Sequence, residues 1–141
     1  MSIMSGRPAT TPPSHGRPPG AATAHAWRWA AALGVAVSAV VHLVLWAQGY
    51  SDIPVVGPMF LLNGVGGLVL AVLLVVWRHW LPLVGGIGFG AATLVAFLLS
   101  TTVGFYGVHE TFAGVNELVA AAAEIVAVAA STVALVREQV R

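Results

Sequence analysis

Cysteine and lysine are both absent from this chain, and charge of either sign is scarce. Without cysteine there is no disulfide, no thiolate metal site and no thiol nucleophile. Six arginines and five acids leave a net charge of +1, too little to form an electrostatic footprint for nucleic acid. Charged residues fill only 8% of 141 positions, whereas an ordinary soluble domain carries about 25%. Too few charges remain to coat a water-soluble globule, and the chain is too apolar to be disordered throughout. Familiar catalytic signatures are missing as well: no P-loop, no H-E-x-x-H, no G-x-S-x-G and no G-x-G-x-x-G after a strand. No catalytic residue is expected.

What is present is apolar. Hydrophobic types make up 58% of the chain and the mean hydropathy is +0.90, which points to the membrane. Residues 1–26 differ. They hold five of the eight prolines (Pro8, Pro12, Pro13, Pro18, Pro19) among Ser, Thr and Gly, and are expected to be a disordered cytoplasmic tail. Thereafter residues 29–51, 53–77 and 79–109 carry no Asp, Glu, Lys or Arg. Each stretch exceeds the about 20 residues needed for one helical crossing. Spans are predicted over 27–49, 58–77 and 82–106. A fourth is predicted over 115–136, where an Ala-rich run favours helix in spite of Glu117 and Glu124. Residues 137–141 then form a short cytoplasmic end. The connections are short, so successive helices should be antiparallel neighbours. The expected fold is all-α, a transmembrane up-down four-helix bundle with Pro82 in the first turn of its third helix.

Arginine positions set the orientation. With four crossings, Arg7, Arg17, Arg28, Arg78, Arg137 and Arg141 all fall on one side, and the two opposite loops hold none. The positive-inside rule places that side, with both termini, in the cytoplasm. Trp27, Trp29, Trp77 and Trp80 would form an inner belt, with Trp46, Tyr50, Phe105 and Tyr106 at the outer one. The Ala-, Val- and Gly-rich composition suits a high-GC bacterium, so the expected location is a bacterial plasma membrane. Small residues, including Gly86 and Gly90 four apart, suit close helix packing within the bundle or in a homo-oligomer.

Ionisable residues within a span are functional candidates by default. At about 1.5 Å per residue, Glu124 lies near the midplane, His42 about 6 Å and Glu117 about 13 Å to its outer side. Asn63, Ser100 and Thr101 share that outer half. The six define a candidate polar pocket drawn from all four helices and opening outward. Tyr50, Asp52, Tyr106, His109 and Glu110 would form its rim. Glu117 and Glu124, seven apart, share one helix face. These groups could act as interhelical packing bonds, hold a lipid, quinone or partner helix, or pass protons between His42 and Glu124 in a small transporter. A subunit of a redox complex is a further alternative. A metal needs three or four ligands, and haem needs two matched imidazoles. His42 and His109 lie at different depths, so neither metal nor haem is expected, while a quinone suits the polar set. The bilayer itself is the expected partner, with a larger membrane complex as an alternative to the homo-oligomer.

The strings HLVLWAQGYSDIPVVGPMFLLNGVGGLVLA (42–71) and FLLSTTVGFYGVHET (97–111), followed by a span with an internal Glu, are similar to a group of small four-span membrane proteins of actinobacteria. The similarity rests on G-Y-x-x-I-P and G-x-x-F-L-L-N and extends over about 27–136. It implies the four-span fold and a membrane location, and carries no catalytic role. It also directs attention to His42, Tyr50, Pro54, Gly57, Asn63, Glu110 and Glu124.

Overall fold

A computed structural model describes residues 19–109 and 114–139. Its architecture is four helices: α1 (Pro19–Ala47), α2 (Val56–Val76), α3 (Leu81–Thr102) and α4 (Val115–Gln139), with one 3-10 turn at Tyr50–Asp52. All four are long and apolar enough to cross a membrane, as a multi-pass membrane protein requires. Among the described residues there is no strand, only an isolated bridge between Phe105 and Val108.

Three boundaries differ from the sequence expectation by three residues or more. Helix α1 begins at Pro19, so residues 19–26, read as tail, are helical. The reason is local: proline is suited to the first helical position, and the Ala-rich stretch that follows has high helix propensity. The rest of the expected tail, residues 1–18, lies outside the described residues. Helix α3 stops at Thr102 rather than reaching 106, because Gly104, Tyr106 and Gly107 take positive φ and turn the chain. Helix α4 continues to Gln139, three residues past the predicted span. Pro82 sits in the first turn of α3, as expected.

The two ends of the bundle differ. At one end lie Arg28, Arg78 and Arg137, with Trp27, Trp29, Trp77 and Trp80 exposed around them; this is the arginine end. The other is the Tyr50 end. The main cluster of buried apolar side chains belongs to the arginine half. It joins Ala31 and Val35 of α1, Leu74 of α2, Leu83 of α3, and Ala127, Ala130 and Ala134 of α4. Such small residues let backbones approach closely. Helix α1 packs mainly against α4 and α2, and α3 packs against α4, whereas α2 and α3 meet little.

Two glycines set the fit of α4. A Cβ on Gly34 of α1 would lie 2.7 Å from the Ala123 carbonyl oxygen, and one on Gly90 of α3 would lie 2.8 Å from that of Glu124. Both obstacles are backbone, so only glycine permits these approaches. Gly86 packs against Ser131 of α4, so the Gly86/Gly90 pair serves packing inside the bundle.

Arg28 closes the arginine end. Its side chain is 2% exposed. Nε donates to Glu138 Oε1 at 2.6 Å and Nη2 to Oε2 at 2.8 Å, a bidentate pair. Nη1 donates to the carbonyls of Leu74 and Trp77, and Nη2 also to that of His79. The last carbonyls of a helix have no partner within it; here one guanidinium satisfies them at the end of α2 and binds α1 and α4 to it. Arg137 adds a cation–π contact over Trp27 at 5.9 Å.

Candidate functional site

In the Tyr50 half the space between the helices is a cavity of about 80 Å³. A buried water needs on the order of 10–15 Å³ of such space, so several waters or a slim apolar group fit. All four helices contribute to the lining. Of the six residues predicted to form a polar pocket, His42, Asn63, Ser100, Glu117 and Glu124 line it. Thr101 does not. One helical residue is about 100° of rotation, and here it turns Thr101 away from the cavity that Ser100 lines. Thr101 instead donates to the carbonyls of Phe97 and Leu98.

The floor of the cavity is a connected polar group. Ser38 Oγ donates to Glu124 Oε1 at 2.8 Å. His42 Nδ1 lies 2.8 Å from the Ser38 carbonyl oxygen and 3.4 Å from Ser38 Oγ. A carbonyl only accepts, so Nδ1 carries the proton, and in the neutral ring Nε2 is left as an acceptor. The Thr93 hydroxyl lies beside the Glu124 carboxyl and also donates to the Phe89 carbonyl at 2.8 Å. Glu124 is 2% exposed, Ser38 fully buried and His42 8% exposed. Interhelical hydrogen bonds in such surroundings contribute on the order of 0.6–2 kcal/mol each.

Aromatic rings form a wall above this floor. Phe60 of α2 stacks on Tyr50 at 4.7 Å between centroids and tilts against the His42 ring at 5.0 Å. Tyr50, from the predicted rim, therefore belongs to the cavity itself. Phe97, Phe105 and Val108 complete the apolar lining.

The other predicted rim residues are not brought to it. Asp52 is exposed on the 3-10 turn, where Ser51 Oγ donates to it at 3.4 Å. Tyr106 is exposed and packs edge-on to Phe105. His109 lies over Gly104 on the surface of the same turn. Glu110 lies outside the described residues. Glu117 reaches the cavity from the first turn of α4, with its carboxyl against Gly114. A negative charge is favoured there by the helix dipole.

Sequence reasoning missed Ser38 and Thr93 as members of the floor and Phe60 and Phe97 as its wall. For Ser38 a signal exists: it stands four residues before His42, on the same helix face. For the two phenylalanines there is none, since an apolar residue in an apolar span carries no mark. No protein-family model, curated protein or solved structure matches this chain.

Proposed function

We propose that this protein is a non-enzymatic plasma-membrane protein that binds the polar end of a small amphiphile, such as a lipid or quinone, in the Tyr50-half cavity. In this reading the arginine end is cytoplasmic and the cavity belongs to the outer half of the membrane. Arg28, Arg78 and Arg137 at one end, with four exposed tryptophans beside them, support that orientation.

The observation that carries the reading is the division of the cavity into a hydrogen-bonding floor (Ser38, His42, Glu124) and an aromatic wall (Tyr50, Phe60, Phe97). Ligand sites typically combine an apolar lining with a few convergent polar groups. Passage of protons across the bundle has less support, because the polar series stops at Glu124. Beyond it toward the arginine end stand Val35, Ala127, Leu74 and Leu83, all buried. The next buried polar atom, Ser131 Oγ, makes no hydrogen bond.

The test is what co-purifies with the protein. Native mass spectrometry of protein extracted from its own membrane in mild detergent should show one amphiphile per chain. Removing a charge-assisted hydrogen bond costs on the order of 1.5 kcal/mol, about tenfold in affinity. Glu124→Leu should therefore deplete the amphiphile by about that factor, and the exposed-face control Val126→Leu should not. Equal occupancy in wild type and Glu124→Leu would refute the proposal.

A further inference from the structure

The seam between α2 and α3 differs from every other sequential helix contact in the bundle. In the arginine half the two helices touch. Leu70 reaches the position of Gly85, Leu74 lies near that of Gly86, and the Phe89 ring lies 3.0 Å from where a Gly67 Cβ would stand. The same antiparallel register, continued toward the Tyr50 end, sets Asn63 opposite Thr93, Phe60 opposite Phe97 and Val56 opposite Ser100. All six of these residues line the cavity. The seam is closed where the core is; toward the Tyr50 end the cavity lies along it, with Val56, Thr93 and Ser100 still buried.

Two further observations bear on what could enter there. The Tyr50 end of the cavity is lined by Tyr50, stacked on Phe60, and by Phe105 and Val108 of the bridged turn. Glu117, at the first turn of α4, is the one carboxyl among the described lining residues at that end. Second, the cavity lining contains two carboxyl groups and no arginine, and the chain has no lysine. Every described arginine lies at the opposite end of the helices. A charged head of either sign would leave water for a low-dielectric site, where even for an ion pair the desolvation can exceed the attraction, and an anionic head near Glu124 would lack a counter-charge as well. An uncharged head that both donates and accepts meets His42, Asn63, Thr93 and Glu124.

We infer that the cavity takes a membrane-dissolved molecule with an uncharged hydrogen-bonding head, entering sideways from the lipid between α2 and α3, the sequential pair that packs least. This rests on the binding reading above and adds the class of head and the route. The apolar part of the molecule lies between Phe60 and Phe97, and its head reaches the floor without crossing water.

The experiment uses the full-length protein in phosphatidylcholine vesicles with diazirine photoprobes. Four are compared: a long-chain alcohol, the phosphate monoester and the primary amine of the same chain, and a short water-soluble alcohol. Labelled residues are located by mass spectrometry. The long-chain alcohol should label cavity residues at least about tenfold more than each of the others, a difference of about 1.4 kcal/mol. Ala96→Trp, which places an indole in the seam, should abolish that labelling, while Val95→Trp on the exposed face leaves it unchanged. Ala96→Leu, a smaller plug, should reduce it by an intermediate amount and guards against misfolding of the tryptophan variant. Equal labelling by the phosphate ester or the amine overturns the uncharged head. Labelling by the water-soluble alcohol, or full labelling in both folded Ala96 variants, overturns the sideways route. If no probe labels the cavity in the wild type, the binding reading itself falls.

Discussion

Arg28 shows how much one side chain can organise. A guanidinium has five N–H donors, and all five are used: two on Glu138 and three on the carbonyls of Leu74, Trp77 and His79. Breaking a buried pair by deleting one partner costs about 3–5 kcal/mol, so Arg28→Ala should be among the most destabilising substitutions in the protein. Arg28→Lys should recover little, since an ammonium cannot reproduce the fork. Glu138 keeps 29% side-chain exposure, so Glu138→Gln, which leaves Arg28 its carbonyls, should cost clearly less than Arg28→Ala. Thermal unfolding in detergent measures all three, and equal losses for Arg28→Ala and Glu138→Gln would contradict this account. Ser38 and Glu124 form the second residue-scale unit. A double-mutant cycle with Ser38→Ala and Glu124→Leu should give a coupling of about 0.5–2 kcal/mol; additivity would mean the hydroxyl and carboxyl do not meet.

At the scale of elements, α4 is held by glycines on both sides. Gly34→Ala and Gly90→Ala each drive a methyl group into backbone, and overpacking of this kind costs about 1–3 kcal/mol. Gly66 and Gly88 have nothing within 4 Å of a built Cβ, so the same change there should be neutral or stabilising, because alanine favours helix by up to about 1 kcal/mol. Thermal stability of the four variants separates the two classes. The elements themselves are legible in the sequence because charge is so rare: Arg28, Asp52, Arg78 and the acids of 110–124 mark where spans begin and end. The start of α1 was misplaced because Pro19 reads equally as tail or as a first helical residue. Depth along each helix places His42, Asn63, Ser100, Glu117 and Glu124 between the midplane and the outer surface, and all five line the cavity. Rotation about each helix was not legible, which is why Thr101 was included and Thr93 was not. Arg28 was legible only as a topology marker, since nothing local to it indicates a carboxylate 110 residues away.

For the whole molecule, four antiparallel helices bring the first turns of α1 and the end of α4 to one end of the bundle, where Arg28 meets Glu138. The absence of cysteine makes the orientation of that end easy to check. A single cysteine at Asp52 should react with an impermeant maleimide applied to intact cells, and one at Arg78 should react only after the membrane is opened. The reverse pattern would invert the orientation. The bundle is solid in its arginine half and hollow in its Tyr50 half, and the two halves differ in what holds them: small-residue packing with a charge clamp in one, a few polar bonds and stacked rings in the other. The clamp also has a bearing on biosynthesis. Translation proceeds at about 5–20 residues per second, so Arg28 emerges on the order of 5–20 s before Glu138. Through that interval its charge and the end of α2 wait at the membrane surface without their carboxylate. Joining Arg28 to Glu138 is thus a closing event, available only when the last helix has been made and inserted. A chain that stalls or is cut before that point has Arg28 held by the carbonyls of Leu74, Trp77 and His79 alone, its charge unpaired.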